Sequence, residues 1–236
     1  MTRSEQVTGL FFLLFASIPP LIYPVAQAGY ASMADLGIRV LLPSVVFFLL
    51  LVVRTEFLGM DALMNRVLVG AAAGLLATSG LEIVRSISFH FGGMPGSLPE
   101  LLGVLLTGRI MEGPDGLSDL AGYAYHYWNG LCFGVIYCVL LGRRLPLWGV
   151  IYGVVIGVIF LASQAVSAMG IGFMGREMPS MPMTVILAHL VFGTILGVLA
   201  RRWLWKDQGF LLAPPGGGEK AVKRSGKTSL GPWTDL

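Results

Sequence analysis

Charge is what this chain lacks. Only 12% of its 236 residues are charged, against 55% hydrophobic, and the mean hydropathy is +0.77. A soluble domain carries about 25% charged residues. A chain so poor in charge cannot clothe a water-facing surface, so lipid is its expected solvent. Cysteine is scarce too: Cys132 and Cys138 lie in one apolar stretch. Their spacing of six turns the helix by about 600°, so they face different ways. Neither a disulfide nor a CxxC pair is expected, and both read as small buried apolar residues. No glycine-rich phosphate loop, nucleophile elbow or pair of catalytic carboxylates is present. That removes nucleotide hydrolysis and the common hydrolases, and leaves any other enzyme activity open. Basic runs interleaved with aromatics are missing outside the C-terminal tail. A pI near 9.0 therefore does not argue for nucleic acid as a partner.

Long apolar runs are what the chain has. A spanning helix needs about 20 apolar residues. Six stretches qualify, over 8–29, 37–53, 67–90, 118–141, 148–172 and 181–203. The expected fold is an all-α polytopic membrane bundle of six transmembrane helices, forming a transmembrane domain over 1–206. Pro19, Pro20 and Pro24 predict a kinked or broken first span. Pro43 and Arg39 fall in the second.

Lysine and arginine set the orientation. With the N-terminus inside, twelve of the sixteen basic residues fall on the inner side and only Arg109 and Arg176 on the outer. Arg39 and Arg85 lie within spans. Both termini are then cytoplasmic, and a bacterial inner membrane is the expected location. Residues 1–28 also resemble a secretory signal, with Arg3, an apolar run and Ala26-Gln27-Ala28. Cleavage there would leave five spans without changing the orientation of the rest.

Ser97-Leu98-Pro99-Glu100 has helix-start chemistry in the longest outer segment, 91–117. The run Leu101–Ile110 is too short to cross, so a short outer interfacial helix is expected. Residues 207–236, with Pro214, Pro215 and three following glycines, read as a disordered cytoplasmic tail.

Two stretches are alike. His126-x3-Gly130-x3-Gly134 ends at Arg143-Arg144, and His189-x3-Gly193-x3-Gly197 ends at Arg201-Arg202. The spans before them begin with Gly70-x3-Gly74 and Gly149-x3-Gly153. Spans three and four, and spans five and six, thus read as parallel copies of one helical hairpin. Missing side chains at i and i+4 let backbones approach.

Glu82, His126, Gln164 and His189 each fall eight residues from the outer end of a span, about 12 Å deep. Arg85 lies one turn from Glu82, Asn129 follows His126 by three, and His90 sits at the rim. Ionisable groups in lipid are costly and should face the bundle interior. Three readings compete for this belt. Glu82, His126, His189 and His90 suit a transition metal (Cu, Fe or Zn), or the two imidazoles suit haem, in a membrane subunit. Met178, Met181 and Met183 would then offer soft thioethers for metal entry. Alternatively, Arg85, Gln164 and Asn129 line a substrate or proton path in a small-solute permease, with Arg85 free to receive an anionic head group. In the third reading the belt only fixes helix packing in an accessory subunit. The chain is small for a complete transporter. Besides lipid, its expected partners are further copies of itself or other subunits of a larger membrane complex.

Overall fold

The computed structural model describes residues 2–205, and these are helical with no strand. The tail expected over 207–236 lies outside the described residues. Seven helices are distinguished: α1 Arg3–Gln27, α2 Met33–Phe57, α3 Asp61–His90, α4 Leu98–Leu106, α5 Gly116–Leu140, α6 Pro146–Ala162 and α7 Ser180–Trp203.

Local chemistry sets their ends. Thr2 and Glu5 form a capping box on α1, and Asp115 and Ser118 form one on α5. Ser97 caps α4, with Pro99 in its first turn, as the sequence implies. Pro146 opens α6. The prolines of α1 do not divide it; the helix runs unbroken through Pro19, Pro20 and Pro24. The phenol of Tyr125 donates to the Pro19 carbonyl oxygen at 2.7 Å in this stretch. In α2 the π-helical turn Gly37–Leu41 absorbs an extra residue. Arg39, assigned to a span interior from sequence, is exposed there and lies 4.0 Å from Asp35.

The helices pack in the spatial order α2, α1, α5, α3, α7, α6, with α4 laid across α5. Glycines bring α3 and α5 into backbone contact. A Cβ on Gly74 would strike the Gly130 carbonyl oxygen, and one on Gly70 that of Gly134. The α6–α7 pair is built alike: a Cβ on Gly149 would strike the Gly193 carbonyl, and one on Gly153 that of His189. Apolar clusters fill the seams, one around Ala77, Tyr137, Phe192 and Leu196, another around Phe12, Phe48, Val67 and Val135. Phe12 and Ala16 of α1 are fully buried, so α1 belongs to the core.

Four helices (α1, α2, α3 and α7) are long and apolar enough to cross a membrane. Leu14, Leu50, Ile83 and Leu187 on these helices leave more than half of their surface uncovered, which suits lipid as the neighbour. The architecture is compatible with an integral membrane protein. The expected count of six is not reached on these criteria. Of the other two stretches, α5 is 25 residues long but carries Tyr123, Tyr125, His126, Tyr127, Trp128 and Asn129 in its first half. The fifth stretch does not run to residue 172: α6 stops after 17 residues at Ser163, whose ψ of 155° is extended. Beyond it come short turns with Gly170, Gly172 and Gly175 at positive φ. The segment expected as an outer interfacial helix, α4, is packed against the bundle. Its Gly103 abuts Ser118 and Gly122 of α5, and Leu102 is buried.

Candidate functional site

Glu82 and Arg85 sit one turn apart on α3, and His126 faces them from α5. Glu82 Oε1 lies 2.8 Å from Arg85 Nη1 and 2.8 Å from His126 Nε2. All three side chains are largely buried, between 9% and 13% exposed. The Arg85 contact is a well-formed charge-assisted hydrogen bond. His126 Nε2 approaches the same oxygen off the axis of a well-directed bond and has no other partner. Glu82 Oε2 takes no hydrogen bond among the described residues.

Beside this triad lies a cavity of about 380 Å³. It is bounded by α1, α3, α5, α6 and α7, and Leu98 and Leu102 of α4 close its α4 end. Arg85, His126, Asn129 and His189 meet at its polar end, and the rest of its wall is mostly apolar. Leu21 of α1 and Ile159 of α6 also line it, yet are 58% and 64% exposed. The cavity therefore opens sideways between α1 and α6, two helices that do not pack together along their length.

Its polar groups carry complementary roles. His189 Nδ1 lies 2.8 Å from the Val185 carbonyl oxygen. A carbonyl only accepts, so Nδ1 holds the proton, and in neutral imidazole Nε2 is left as a lone-pair acceptor. Gly157 of α6 makes room for this ring. Asn129 Oδ1 is buried without a partner. Such an orphan costs about 1–3 kcal/mol. The site thus presents one cationic donor, Arg85, and two acceptors, Asn129 Oδ1 and His189 Nε2.

A second, smaller cavity of about 190 Å³ lies toward the α4 end. Glu82 and Arg85 form its floor, and Ser86, His90, Glu100 and Tyr123 its sides. Arg85 borders both cavities.

The structure brings Glu82, Arg85, His126, Asn129 and His189 together, and the two imidazoles share one cavity. His90 is exposed at the mouth of the smaller one. Gln164 does not join them. It lies just past the break at Ser163, is exposed, and lines neither cavity; Ser163 takes the place on the wall.

The four residues expected to hold a metal do not assemble. Among the described residues no group of three or more His, Cys, Asp or Glu side chains is arranged to hold an ion. Glu82 is already engaged by Arg85, and His126 turns Nε2 to Glu82. Axial ligation of haem by both imidazoles would have to break that contact. The methionines diverge as well: Met181 is fully buried against Met94, Leu161 and Val185, Met178 is half-buried at the edge of that cluster, and Met183 is exposed. They pack rather than converge on a point.

No protein-family model, curated protein or solved structure matches the chain.

The sequence reading missed three contributors: Tyr125, the wall that α1 supplies through Pro20, Tyr23 and Pro24, and Ser163. Tyr125 adjoins His126 in the sequence, and its phenol donates to the Pro19 carbonyl oxygen. The α1 prolines carried a signal, because exposed carbonyls in an apolar helix need donors from a neighbour.

Proposed function

We propose that the chain is an integral membrane protein that takes a single-chain amphiphile sideways from the bilayer and holds its polar head at Arg85, Asn129 and His189. One observation carries this reading: an apolar-walled cavity opens between α1 and α6 and ends on a donor and two unused acceptors. A head with both an acceptor oxygen and an O–H fits that set, such as a protonated acid, a phenol or a hydroxyl. A volume near 380 Å³ is at the small end for ligand sites, which favours one chain over a two-chain lipid.

In this reading the six stretches cross the membrane with both termini on the basic side, as lysine and arginine placement favours. The turns after the break in α6 are anchored by Val166 and Ile171, buried in the cluster with Met181, while Gln164, Phe173 and Arg176 among them are exposed. The two glycine-packed hairpins are parallel copies of one unit. A metal- or haem-binding subunit has less support, since Glu82 and His126 already use each other. A purely structural belt leaves Asn129 Oδ1 and His189 Nε2 without a purpose.

Native mass spectrometry of the protein released from lipid nanodiscs tests the reading. The wild type should retain about one amphiphile per chain. Arg85→Gln, and Ser163→Trp at the cavity wall, should each lose it while remaining folded. Equal retention in both variants would overturn the reading.

A further inference from the structure

The two cavities differ in what they face. The larger opens toward lipid at Leu21 and Ile159. The smaller is bounded by His90, which is exposed, and by Glu100 at the start of α4. Arg85 borders both, and the Glu82–Arg85–His126 cluster joins the lining of one to the lining of the other. Glu82 and Arg85 floor the small vestibule, while Arg85 and His126 line the large cavity.

The atoms are placed for transfer between the two. Glu82, which borders the vestibule, has Oε1 held by Arg85 and approached by His126 Nε2, while Oε2 takes no hydrogen bond among the described residues. The other ring nitrogen of His126, Nδ1, has no hydrogen bond among the described residues and belongs to a side chain that lines the large cavity. A carboxylate that borders the vestibule, in contact with an imidazole that lines the large cavity, is a chain of proton-bearing groups at near-contact spacing.

We propose that Glu82 and His126 relay protons between water in the vestibule and the head group of the ligand in the membrane-facing cavity; this rests on the amphiphile-binding reading. Nε2, which faces a carboxylate oxygen, carries the resting proton of His126, and Nδ1 is the acceptor. The head group's O–H gives its proton to Nδ1 as the Nε2 proton passes to the Glu82 carboxylate, and the carboxyl then turns and releases that proton to a vestibule water as hydronium. One proton leaves the head group and one reaches the vestibule, with no change in oxidation state. His126 is left in its other tautomer, and the reverse transfer, when the head group regains its proton, restores the first.

The groups around the relay suit this role. On α3, Arg85 fixes one carboxylate oxygen, and His90 borders the vestibule. Glu100 of α4 and Tyr123 of α5 face the vestibule, and Tyr125 of α5, Tyr23 of α1 and His189 of α7 face the cavity. From α6 only the non-titrating Ser163 and apolar residues are offered. Among the imidazoles and phenols at the cavity, His126 is the one in contact with a carboxylate that also borders the vestibule.

The experiment uses a nitrophenol carrying a dodecyl chain, whose absorbance reports its own protonation. The full-length protein in nanodiscs is loaded with this compound and mixed rapidly with buffer of a different pH. Bound nitrophenol should titrate about 100-fold faster in the wild type than in Glu82→Gln or His126→Gln. Its Kd should change far less than the rate, by no more than about tenfold even in His126→Gln, which loses one contact with the head group while Arg85, Asn129 and His189 remain. His126→Gln retains a donor to Glu82 and serves if Glu82→Gln fails to fold. Unchanged rates in a folded variant that binds the compound would overturn the relay and leave binding standing. Failure of the wild type to bind it would overturn both.

Discussion

His126 and His189 occupy matching places on α5 and α7, four residues ahead of a glycine packed against a glycine of the preceding helix, yet only His126 has a carboxylate opposite it. Gly130 packs on Gly74, and eight residues after Gly74 comes Glu82. Gly193 packs on Gly149, and eight residues after Gly149 comes Gly157, which has no side chain and makes room for the His189 ring. Deprived of a carboxylate, His189 turns Nδ1 to its own helix at Val185. Two similar hairpins thus give one histidine that faces a carboxylate and one that turns to its own backbone. That division is what lets one end of a cavity both donate and accept.

The Glu82–Arg85 pair should behave as a buried ion pair in a double-mutant cycle. Removing one partner leaves the other charge uncompensated, at a cost of about 3–5 kcal/mol, whereas replacing both is often near neutral. Arg85→Met alone should lower unfolding stability by about that amount, and adding Glu82→Gln should recover most of the loss. Unfolding in mixed detergent micelles measures both. Simple additivity of the two losses would show that the pair is not a coupled unit.

The glycine contacts predict a sharp positional contrast. A Cβ at Gly74 or Gly153 meets backbone carbonyl oxygens, which cannot swing aside as a side chain can. Gly74→Ala and Gly153→Ala should each destabilise by about 1–3 kcal/mol or more, through forced separation of helices. Gly116→Ala, at the start of α5 with nothing within 4 Å of the added carbon, should be close to neutral. Thermal unfolding of the three variants checks this, and equal Tm values would refute the close-packed seam.

The helical class, the core of the site and the glycine seams were legible in the sequence, because each rests on spacing along a helix. Glu82, Arg85, His126, Asn129 and His189 were found from depth and helix face alone. Gln164 was misplaced for a reason of the same kind: depth counting assumes an unbroken helix, and α6 ends at Ser163. The density of Ser and Gly from Ser163 to Gly175 was the signal for that break. The metal reading finds no support, for a reason of direction. Spacing places residues at a common depth but does not say that Glu82 will point at Arg85 and His126, or that His189 will turn Nδ1 to the Val185 carbonyl. The lateral cavity was invisible because it depends on which helices fail to pack, here α1 and α6.

Cys132 and Cys138 are free and fully buried in two different clusters, as their six-residue spacing implies. They should react with a polar maleimide only when the bundle opens, since both thiols are sealed by packed helices. Labelling under native conditions should stay below about a tenth of that in denaturant. Any variant that separates α3 from α5, Gly74→Ala above all, should raise it. Rapid native labelling of either cysteine would contradict the packing around α5.

Acid should loosen the start of α5 through Asp115. Its carboxyl is held below the ordinary 3.8 chiefly by the Ser118 backbone N–H, at 2.8 Å, with the Ser118 side chain, Arg109 and the Leu117 N–H adding to the effect. A group whose pKa falls on folding stabilises the folded state above its unfolded value and loses that contribution as pH drops through its folded value. The cap should therefore be intact from neutral pH down to about 4 and fade below that. Hydrogen-exchange protection of the amides at 117–119 should be flat over the upper range and fall in acid. Asp115→Asn, whose amide oxygen caps without titrating, should keep its protection throughout. Asp115→Ala should be poorly protected at every pH, so an acid-dependent fall that persists in the alanine variant would place the titrating group elsewhere.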